Sequence, residues 1–220
     1  MKKLILLAGI IVSVATTTTI NAQNIKYGVR AGVGFYNWGG QTGQAISELV
    51  DESKVASIGS KPGFSFGLFG SLPINHFMEI ESGIGYTQRG MRVRQTLFDN
   101  TLINPTVTLS NNSHYLDVPL QFKVNLPSGL HLIAGGQVSY LVSNQIGARA
   151  GVLGLSVGRN FDFNNVINEW DAGLTGGIGF TTPYGFDLRA QYDYGLVRLD
   201  QYINTNIFNR GFKFTVGYQF

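Results

Sequence analysis

The sequence has no cysteine and few charged residues. The absence of cysteine from its 220 residues excludes disulfides, thiol catalysis and cysteine-ligated metal sites. Charged residues make up 13% of the chain, against about 25% in soluble domains, which indicates that part of the surface faces something other than water. Beyond the N-terminus, no apolar run approaches the roughly 18 residues that a membrane-spanning helix needs.

The N-terminus has the pattern of a secretory signal peptide, which we place at residues 1–22. Lys2 and Lys3 precede an apolar segment, residues 4–14, and residues 20–22 form an acceptable cleavage site. Cleavage would leave one domain, residues 23–220, and would lower the formal charge from +3 to +1 because only the two lysines leave. So small a charge gives no reason to expect a nucleic-acid partner.

The remaining chain is rich in glycine and alternates apolar with polar residues. Glycine accounts for 29 of the 220 residues, well above the usual share of about 7%. Alternation with period two is typical of strands with two different faces. It predicts eight strands, at residues 26–38, 63–72, 77–93, 114–126, 130–142, 167–180, 185–196 and 210–220.

Long and short connections alternate between these strands. The long ones are 39–62, 95–113, 144–166 and 197–209, and three short turns lie between them. An even number of strands places both termini at the end with the short turns. The pattern predicts an all-β fold, an eight-stranded antiparallel up-and-down transmembrane β-barrel. Within the third long connection, residues 151–157 could extend the preceding hairpin, strands 114–126 and 130–142, beyond the membrane. Pro119 should mark a bulge or an irregularity.

Alternation alone does not say which face points inward, and a soluble lipocalin-like barrel is the alternative. Most members of the polar face are glycine, serine, threonine or glutamine, which suit a crowded interior. The apolar face carries almost no charge, as lipid requires, because a charge at the bilayer midplane costs roughly 2–4 kcal/mol. Aromatic residues also concentrate near the strand ends, as in interfacial girdles. We therefore favour the transmembrane barrel.

Three motifs and the C-terminus carry a resemblance to a known family. The motifs are YGVRAGVG at 27–34, YLDVPLQFK at 115–123 and GLTGGIG at 173–179, and the chain stops on Phe220. It resembles the small outer-membrane β-barrel domain of porin-family proteins, OmpX- or OmpA-like. The resemblance implies contact with outer-membrane lipid, periplasmic termini and recognition of the last strand by the barrel assembly machinery. The assembly signal would comprise Phe212, Phe214, Val216, Tyr218 and Phe220.

The inward face of such a barrel would hold eleven charged residues. An eight-stranded barrel is just wide enough for side chains to fill its interior, so we expect ion pairs rather than an open channel. Glu79, Glu81, Lys123, Asp187 and Arg189 should pair near the short turns, because unpaired buried charges are very costly. The complete predicted luminal network is Arg30, Glu79, Glu81, Arg89, Asp117, Lys123, Asp171, Asp187, Arg189, Asp193 and Lys213.

No catalytic, cofactor or metal site is predicted. Ser113, His114 and Asp117 suggest a hydrolase, but Ser113 and His114 are neighbours and should point to opposite faces of a strand. His76 and His131 lie near short turns and are better interpreted as turn and luminal residues than as metal ligands.

Three functions remain open. We expect a non-enzymatic barrel in envelope structure or surface interaction, with an extracellular ligand on the loops 39–62, 95–113, 144–166 or 197–209. A small porin that conducts ions or small solutes is the first alternative. A lipid-modifying barrel enzyme is the second.

Overall fold

A computed structural model describes residues 25–39, 56–96, 106–152, 155–162, 168–199 and 207–220. Nine strand segments account for most of these residues: β1 Lys26–Gly39, β2 Ala56–Pro73, β3 Met78–Thr96, β4 Thr106–Asn125, β5 Leu130–Val152, β6 Leu155–Asp162, β7 Trp170–Thr181, β8 Phe186–Gly195 and β9 Phe208–Gln219. A one-turn 3-10 helix, Pro127–Gly129, joins β4 to β5. Within these described ranges, no helix is long and apolar enough to span a membrane.

The strands form a closed antiparallel ring. Hydrogen bonds connect them in the order β4-β3-β2-β1-β9-β8-β7-β5, and β5 pairs with β4 to close the circle. The first strand pairs with the last over twelve positions, from Gly28 opposite Gln219 to Gly39 opposite Phe208. Closure leaves no sheet edge within the ring. The predicted eight-stranded antiparallel barrel is confirmed.

The ninth segment, β6, does not enlarge the ring. It pairs with the far part of β5, from Gln145 to Val152, whereas β7 pairs with the first part, from Leu130 to Tyr140. The two segments therefore lie one after the other along the same side of β5. The expectation that residues 151–157 extend the hairpin of β4 and β5 was only partly right: β5 continues to Val152, but residues 155–157 belong to β6, which folds back on β5.

The predicted loop boundaries were wrong at several long connections. β2 begins at Ala56, within the predicted loop 39–62, β4 begins at Thr106, within 95–113, and β5 continues to Val152, within 144–166. These extensions contain many polar and small residues, so their outer ends lack the apolar alternation that marks the membrane part. Backbone pairing with neighbouring strands forms them nonetheless. The signal prediction, 1–22, and residues 40–55, 97–105, 163–167 and 200–206 lie outside the described residues.

The three short connections lie at one end of the barrel, the short-turn end, together with Ile25 and Phe220. Asn75 accepts hydrogen bonds from the amides of Phe77 and Met78, both at 2.8 Å, and so closes the first turn. The amide of Phe220 donates to the carbonyl of Tyr27 at 2.9 Å, which joins the end of the last strand to the start of the first. The opposite end of the barrel is called the long-loop end below.

Pro119 interrupts the hydrogen-bond ladder between β3 and β4 without changing the register of the two strands. Ser82 pairs with Leu120 and Gly85 with Asp117 in one register, but the two positions between them make no ladder pair. Proline has no amide to donate there. The hydroxyl of Ser82 instead donates to the carbonyl of Pro119 at 2.8 Å. The predicted irregularity is confirmed, while the register shift between β4 and β5 lies at His114 and Tyr115.

The barrel is apolar outside and polar inside. Leu68 and Ile178 are each 61% exposed, whereas Glu81 and Asp187 are each 2% exposed. Outward aromatic pairs stand at two levels, with Phe186 and Tyr218 at 5.2 Å near the short turns and Tyr192 and Phe212 at 4.9 Å further along the same two strands. This distribution is the reverse of that of a water-soluble domain.

Candidate functional site

Arg189 forms the centre of an ion cluster near the short-turn end. Its Nη1 and Nη2 donate to the two oxygens of Glu81 at 2.8 and 2.6 Å, and its Nε and Nη2 donate to Asp187 at 2.9 and 2.6 Å. Arg30 donates to Glu81 from the other side at 2.9 Å and lies 3.5 Å from Asp187. Two arginines and two carboxylates therefore neutralise one another across the barrel.

Glu79 forms a second cluster at the same end. Lys123 and Lys26 approach its carboxylate at 3.5 and 3.3 Å. The hydroxyl of Ser71 and the amide of Asn125 donate to it at 2.6 and 3.0 Å. Like the Arg189 cluster, it lies in the interior just above the short turns. We call these two groups together the lower ion layer.

Arg89 forms the main cluster nearer the long-loop end. Its guanidinium donates to Asp117 at 2.9 Å, Asp171 at 2.8 Å and the hydroxyl of Ser139 at 2.9 Å. The same group lies over the ring of Tyr115, 4.5 Å from its centroid. A planar cation between two carboxylates and a ring uses both its hydrogen-bonding edges and its face.

Asp193 joins this layer from the other wall. It accepts hydrogen bonds from the hydroxyls of Tyr36 at 2.8 Å and Thr175 at 2.9 Å, and Lys213 lies 3.2 Å away. The amide of Asn209 donates to Asp171 at 2.8 Å, so β9 is also tied to the layer. We call the groups around Arg89 and Asp193 the upper ion layer.

A cavity of about 70 Å³ lies between the two layers. Its polar lining includes Arg30, Gln121, Gln137, Gln191 and Thr215. The Oε1 of Gln121, the Nε2 of Gln191 and the Oγ1 of Thr215 are buried and make no hydrogen bond to protein. A cavity of this kind needs roughly 10–15 Å³ to hold a water, so this one is large enough for water to reach these atoms.

All eleven residues of the predicted luminal network point into the barrel. Nine are buried, and only Arg30 and Lys213 retain partial exposure, 14% and 12% of their side chains. The prediction did not include the tyrosines, Tyr36 and Tyr115, that complete the upper layer. Their positions in the alternation place both on the polar face, and this parity was the signal that could have identified them.

The residues that suggested a hydrolase do not form a catalytic pair. The hydroxyl of Ser113 points inward and donates to Asn144 at 2.9 Å. His114 points outward, where its Nδ1 hydrogen-bonds the hydroxyl of Tyr86. The wall of the barrel separates the hydroxyl from the imidazole, so His114 cannot act as its base.

At the long-loop end, the described strands that continue well beyond the upper ion layer all lie on one side of the barrel. β3 runs seven residues past Arg89 to Thr96, and β5 runs eight residues past Asn144 to Val152, where β6 folds back on it. β8, on the opposite side, ends at Gly195, two residues after Asp193. The extended parts of β2 to β6 form a sheet that rises above the barrel, here called the projecting sheet.

The comparison with protein families agrees with this geometry. The family described as "outer membrane protein beta-barrel domain" matches residues 21–201. The chain belongs to this family. As an outer-membrane barrel, it presents its exposed apolar face to lipid, which explains why leucine, isoleucine and phenylalanine cover the outside.

Solved barrels with different sequences are similar to this one. One is Ail, the attachment invasion locus protein of Yersinia pestis, at 14% identity and a TM-score of 0.42, covering 89% of this chain and 97% of that one. Another is Neisserial surface protein A, at 16% identity and a TM-score of 0.42, covering 88% and 97%. A comparison with curated protein sequences finds no match.

Proposed function

We propose that this outer-membrane barrel is a non-enzymatic surface protein that binds an extracellular ligand through its long-loop end. The observation that carries the proposal is the projecting sheet, which extends β2, β3, β4 and β5 beyond the part of the barrel that the ion layers fill. The additional strand length that the described residues show on this side is not needed to cross a bilayer. A rigid scaffold that holds extended elements outside the membrane is suited to recognition.

The orientation follows from the usual asymmetry of such barrels. Bacterial outer-membrane barrels have short periplasmic turns and longer extracellular loops. We therefore place the short-turn end and both termini in the periplasm, after export through the signal at residues 1–22. Insertion would proceed through recognition of the C-terminal strand by the barrel assembly machinery, since Phe212, Val216 and Phe220 lie exposed on its outward face.

The filled interior supports a structural rather than a conducting role. Bidentate pairs such as Arg189 with Glu81 connect strands on different sides of the barrel, and both layers consist of paired charges. A porin is the second candidate, and the cavity between the layers is the observation that favours it. Ions would have to cross both layers to use that cavity.

Two measurements on the same preparations separate these functions. The first is binding of cells that display the protein to immobilised glycans and extracellular-matrix proteins. The second is conductance of the folded protein in planar bilayers. A matched variant in which residues 148–159 are replaced by a two-residue turn shortens the projecting sheet and leaves both ion layers intact. We expect wild-type cells to bind a surface ligand and the variant to lose this binding. Neither protein should give steady unitary currents.

The opposite result would overturn the proposal. Steady unitary currents from wild type and variant, with equal surface binding by both, would establish the porin. Hydrolysis of outer-membrane lipid by the folded protein would establish the enzyme instead. Labelling of intact cells with a membrane-impermeant reagent, directed at a cysteine placed in residues 153–154, tests the orientation separately.

A further inference from the structure

Among the described side chains, Lys61, Arg92 and Arg149 are cations on the outward face of the projecting sheet. Lys61 crosses Gly90 on the neighbouring strand, and its ammonium donates to the side-chain oxygen of Asn112 at 2.5 Å. Arg92 follows Gly90 by two residues on β3 and lies opposite Ser110 on β4. Arg149 on β5 lies opposite Thr108, two residues beyond Ser110 toward the long-loop end. Lys61, Arg92 and Arg149 thus form a rising diagonal across β2, β3 and β5, which we call the outer basic patch.

The outer basic patch lacks counter-ions among the described side chains. Every cation of the two ion layers pairs with a carboxylate. No described carboxylate forms an ion pair with Lys61, Arg92 or Arg149. Arg92 and Arg149 lie close enough to Lys61 for their charges to repel it. Three like charges grouped in this way attract anions.

The patch lies directly beyond an outward aromatic cluster. Tyr86 packs on Phe66 and Phe64 with ring centroids at 5.1 and 5.8 Å, and on the imidazole of His114 at 5.8 Å. Amphipathic aromatic side chains mark the boundary between hydrocarbon and headgroups. Gly90 and Arg92 follow Tyr86 by four and six residues, which corresponds to roughly 10 and 16 Å of height for strands tilted by about 40°.

The surroundings leave the cations accessible from the side. Arg92 and Arg149 are exposed. Arg92 pairs with Gly59 and Ser110 on the adjacent strands, and Arg149 pairs with Gly158, and these neighbours have little or no side chain. The patch faces away from the barrel axis, over the lipid that surrounds this wall. A ligand held there would approach within the plane of the membrane rather than from above.

We propose that the outer basic patch binds the phosphate groups of an anionic glycolipid in the leaflet at the long-loop end. The guanidinium groups of Arg92 and Arg149 can each present two parallel donors to a phosphate, and Lys61 adds a compact charge. This inference rests on the orientation given under "Proposed function". It concerns the wall of the projecting sheet rather than its tip, so it differs from the extracellular ligand proposed above.

Binding of bisphosphorylated lipid A to the folded mature chain in zwitterionic micelles tests the proposal. Each cation near an anionic lipid surface contributes about 1 kcal/mol, which corresponds to about fivefold in affinity. The double variant Arg92→Gln/Arg149→Gln should therefore bind lipid A about 25-fold more weakly. The matched control Arg198→Gln/Arg210→Gln removes two exposed or half-buried arginines at the same end but outside the patch, and its affinity should stay within twofold of wild type.

Several results would overturn the proposal. They are equal losses in the two double variants, equal binding of dephosphorylated and bisphosphorylated lipid A, and tighter binding of a soluble sulfated glycan than of lipid A. A heat-dependent shift in gel mobility checks that each variant is folded, and Arg149→Gln alone, expected to lose about fivefold, replaces the double variant should that variant not fold. The cell-labelling experiment above decides the orientation independently, so a failed orientation is distinguishable from a failed lipid site.

Discussion

Arg189 holds Glu81 through two parallel hydrogen bonds of 2.8 and 2.6 Å, although 108 residues separate them in the sequence. Their strands, β8 and β3, are not neighbours in the ring, because β2, β1 and β9 lie between them. The pair therefore crosses the interior and connects walls that share no backbone hydrogen bonds. Breaking such a buried pair by removing one partner costs about 3–5 kcal/mol.

Replacement of either partner should lower the heat stability of the barrel more than replacement of both. Glu81→Gln leaves Arg189 and Arg30 with Asp187 as their remaining carboxylate, and Arg189→Met leaves Glu81 with Arg30. The double variant Glu81→Gln/Arg189→Met leaves Arg30 paired with Asp187. The temperature at which gel mobility changes should fall most in Glu81→Gln and be partly restored in the double variant. Equal losses in all three would contradict the role of the pair.

Arg89→Lys should also destabilise the barrel although it keeps the charge. Arg89 contacts Asp117, Asp171 and Ser139 with separate donors and lies over Tyr115. An ammonium cannot reproduce the planar fork, and the loss of one charged hydrogen bond costs about 1.5–3 kcal/mol. The control is Arg92→Lys on the outward face of the same strand, which should change stability in detergent by less than about 0.5 kcal/mol. Denaturant-induced unfolding measured by tryptophan fluorescence compares the two.

The alternation of the sequence assigns residues to faces but does not say which of them meet. Arg30, Glu81 and Arg189 share the polar parity of their strands, so their inward direction can be read from the sequence. Their contact depends on the relative register of β1, β3 and β8, and that register is set by strand pairing around the whole ring. No short stretch of the sequence is sufficient to predict that register.

Two further features could not be read from apolar alternation. Phe69 and Ile133 have inward parity but apolar side chains, so they do not resemble members of a polar face, yet both are buried inside. The outer parts of β2, β4 and β5 lie beyond the region where lipid demands an apolar face. There, the strands pair through their backbones, and most of their residues are polar or small, with isolated apolar ones such as Ile58, Leu109 and Ile146.

The turn between β4 and β5 contains a strained residue whose replacement should stabilise the barrel. Ser128 has φ +73°, as the only non-glycine residue with positive φ in the described chain. A side chain in this conformation costs roughly 1–2 kcal/mol, part of which is offset by the greater flexibility of glycine in the unfolded chain. Ser128→Gly should raise the free energy of unfolding, measured by urea titration, by up to about 1 kcal/mol.

Gly129→Ala is the opposite case. Here φ is +85°, and the added Cβ would lie 3.2 Å from the ring of Phe180. The same urea titration should therefore show a loss of stability.

The terminal Phe220 should matter for assembly rather than for the stability of the finished barrel. Its side chain is 71% exposed, and only its backbone is tied down, by the amide that donates to Tyr27. Phe220→Ser should therefore lower the fraction of heat-modifiable protein recovered from cell membranes while leaving the unfolding temperature of refolded protein unchanged. Tyr184→Ser removes an aromatic ring of greater exposure, 82%, at the same end and serves as control. An equal loss of assembly in both variants would show that the C-terminal position carries no signal.

A charge on the lipid-facing wall should lower the stability of the barrel more, the closer it lies to the bilayer midplane. Ile178 is 61% exposed and pairs with Leu132 and Ala190 between the two levels of outward aromatic pairs, whereas Leu196 is 52% exposed just beyond the long-loop end of β8. Arginine costs about 2–4 kcal/mol at the bilayer midplane and about 0–1 kcal/mol near an interface. Ile178→Arg should lower stability in lipid vesicles by about that larger amount, and Leu196→Arg should be nearly neutral. In a soluble barrel, both substitutions would place arginine in water at little cost, so equal and small effects in vesicles would contradict the assignment of this wall to lipid.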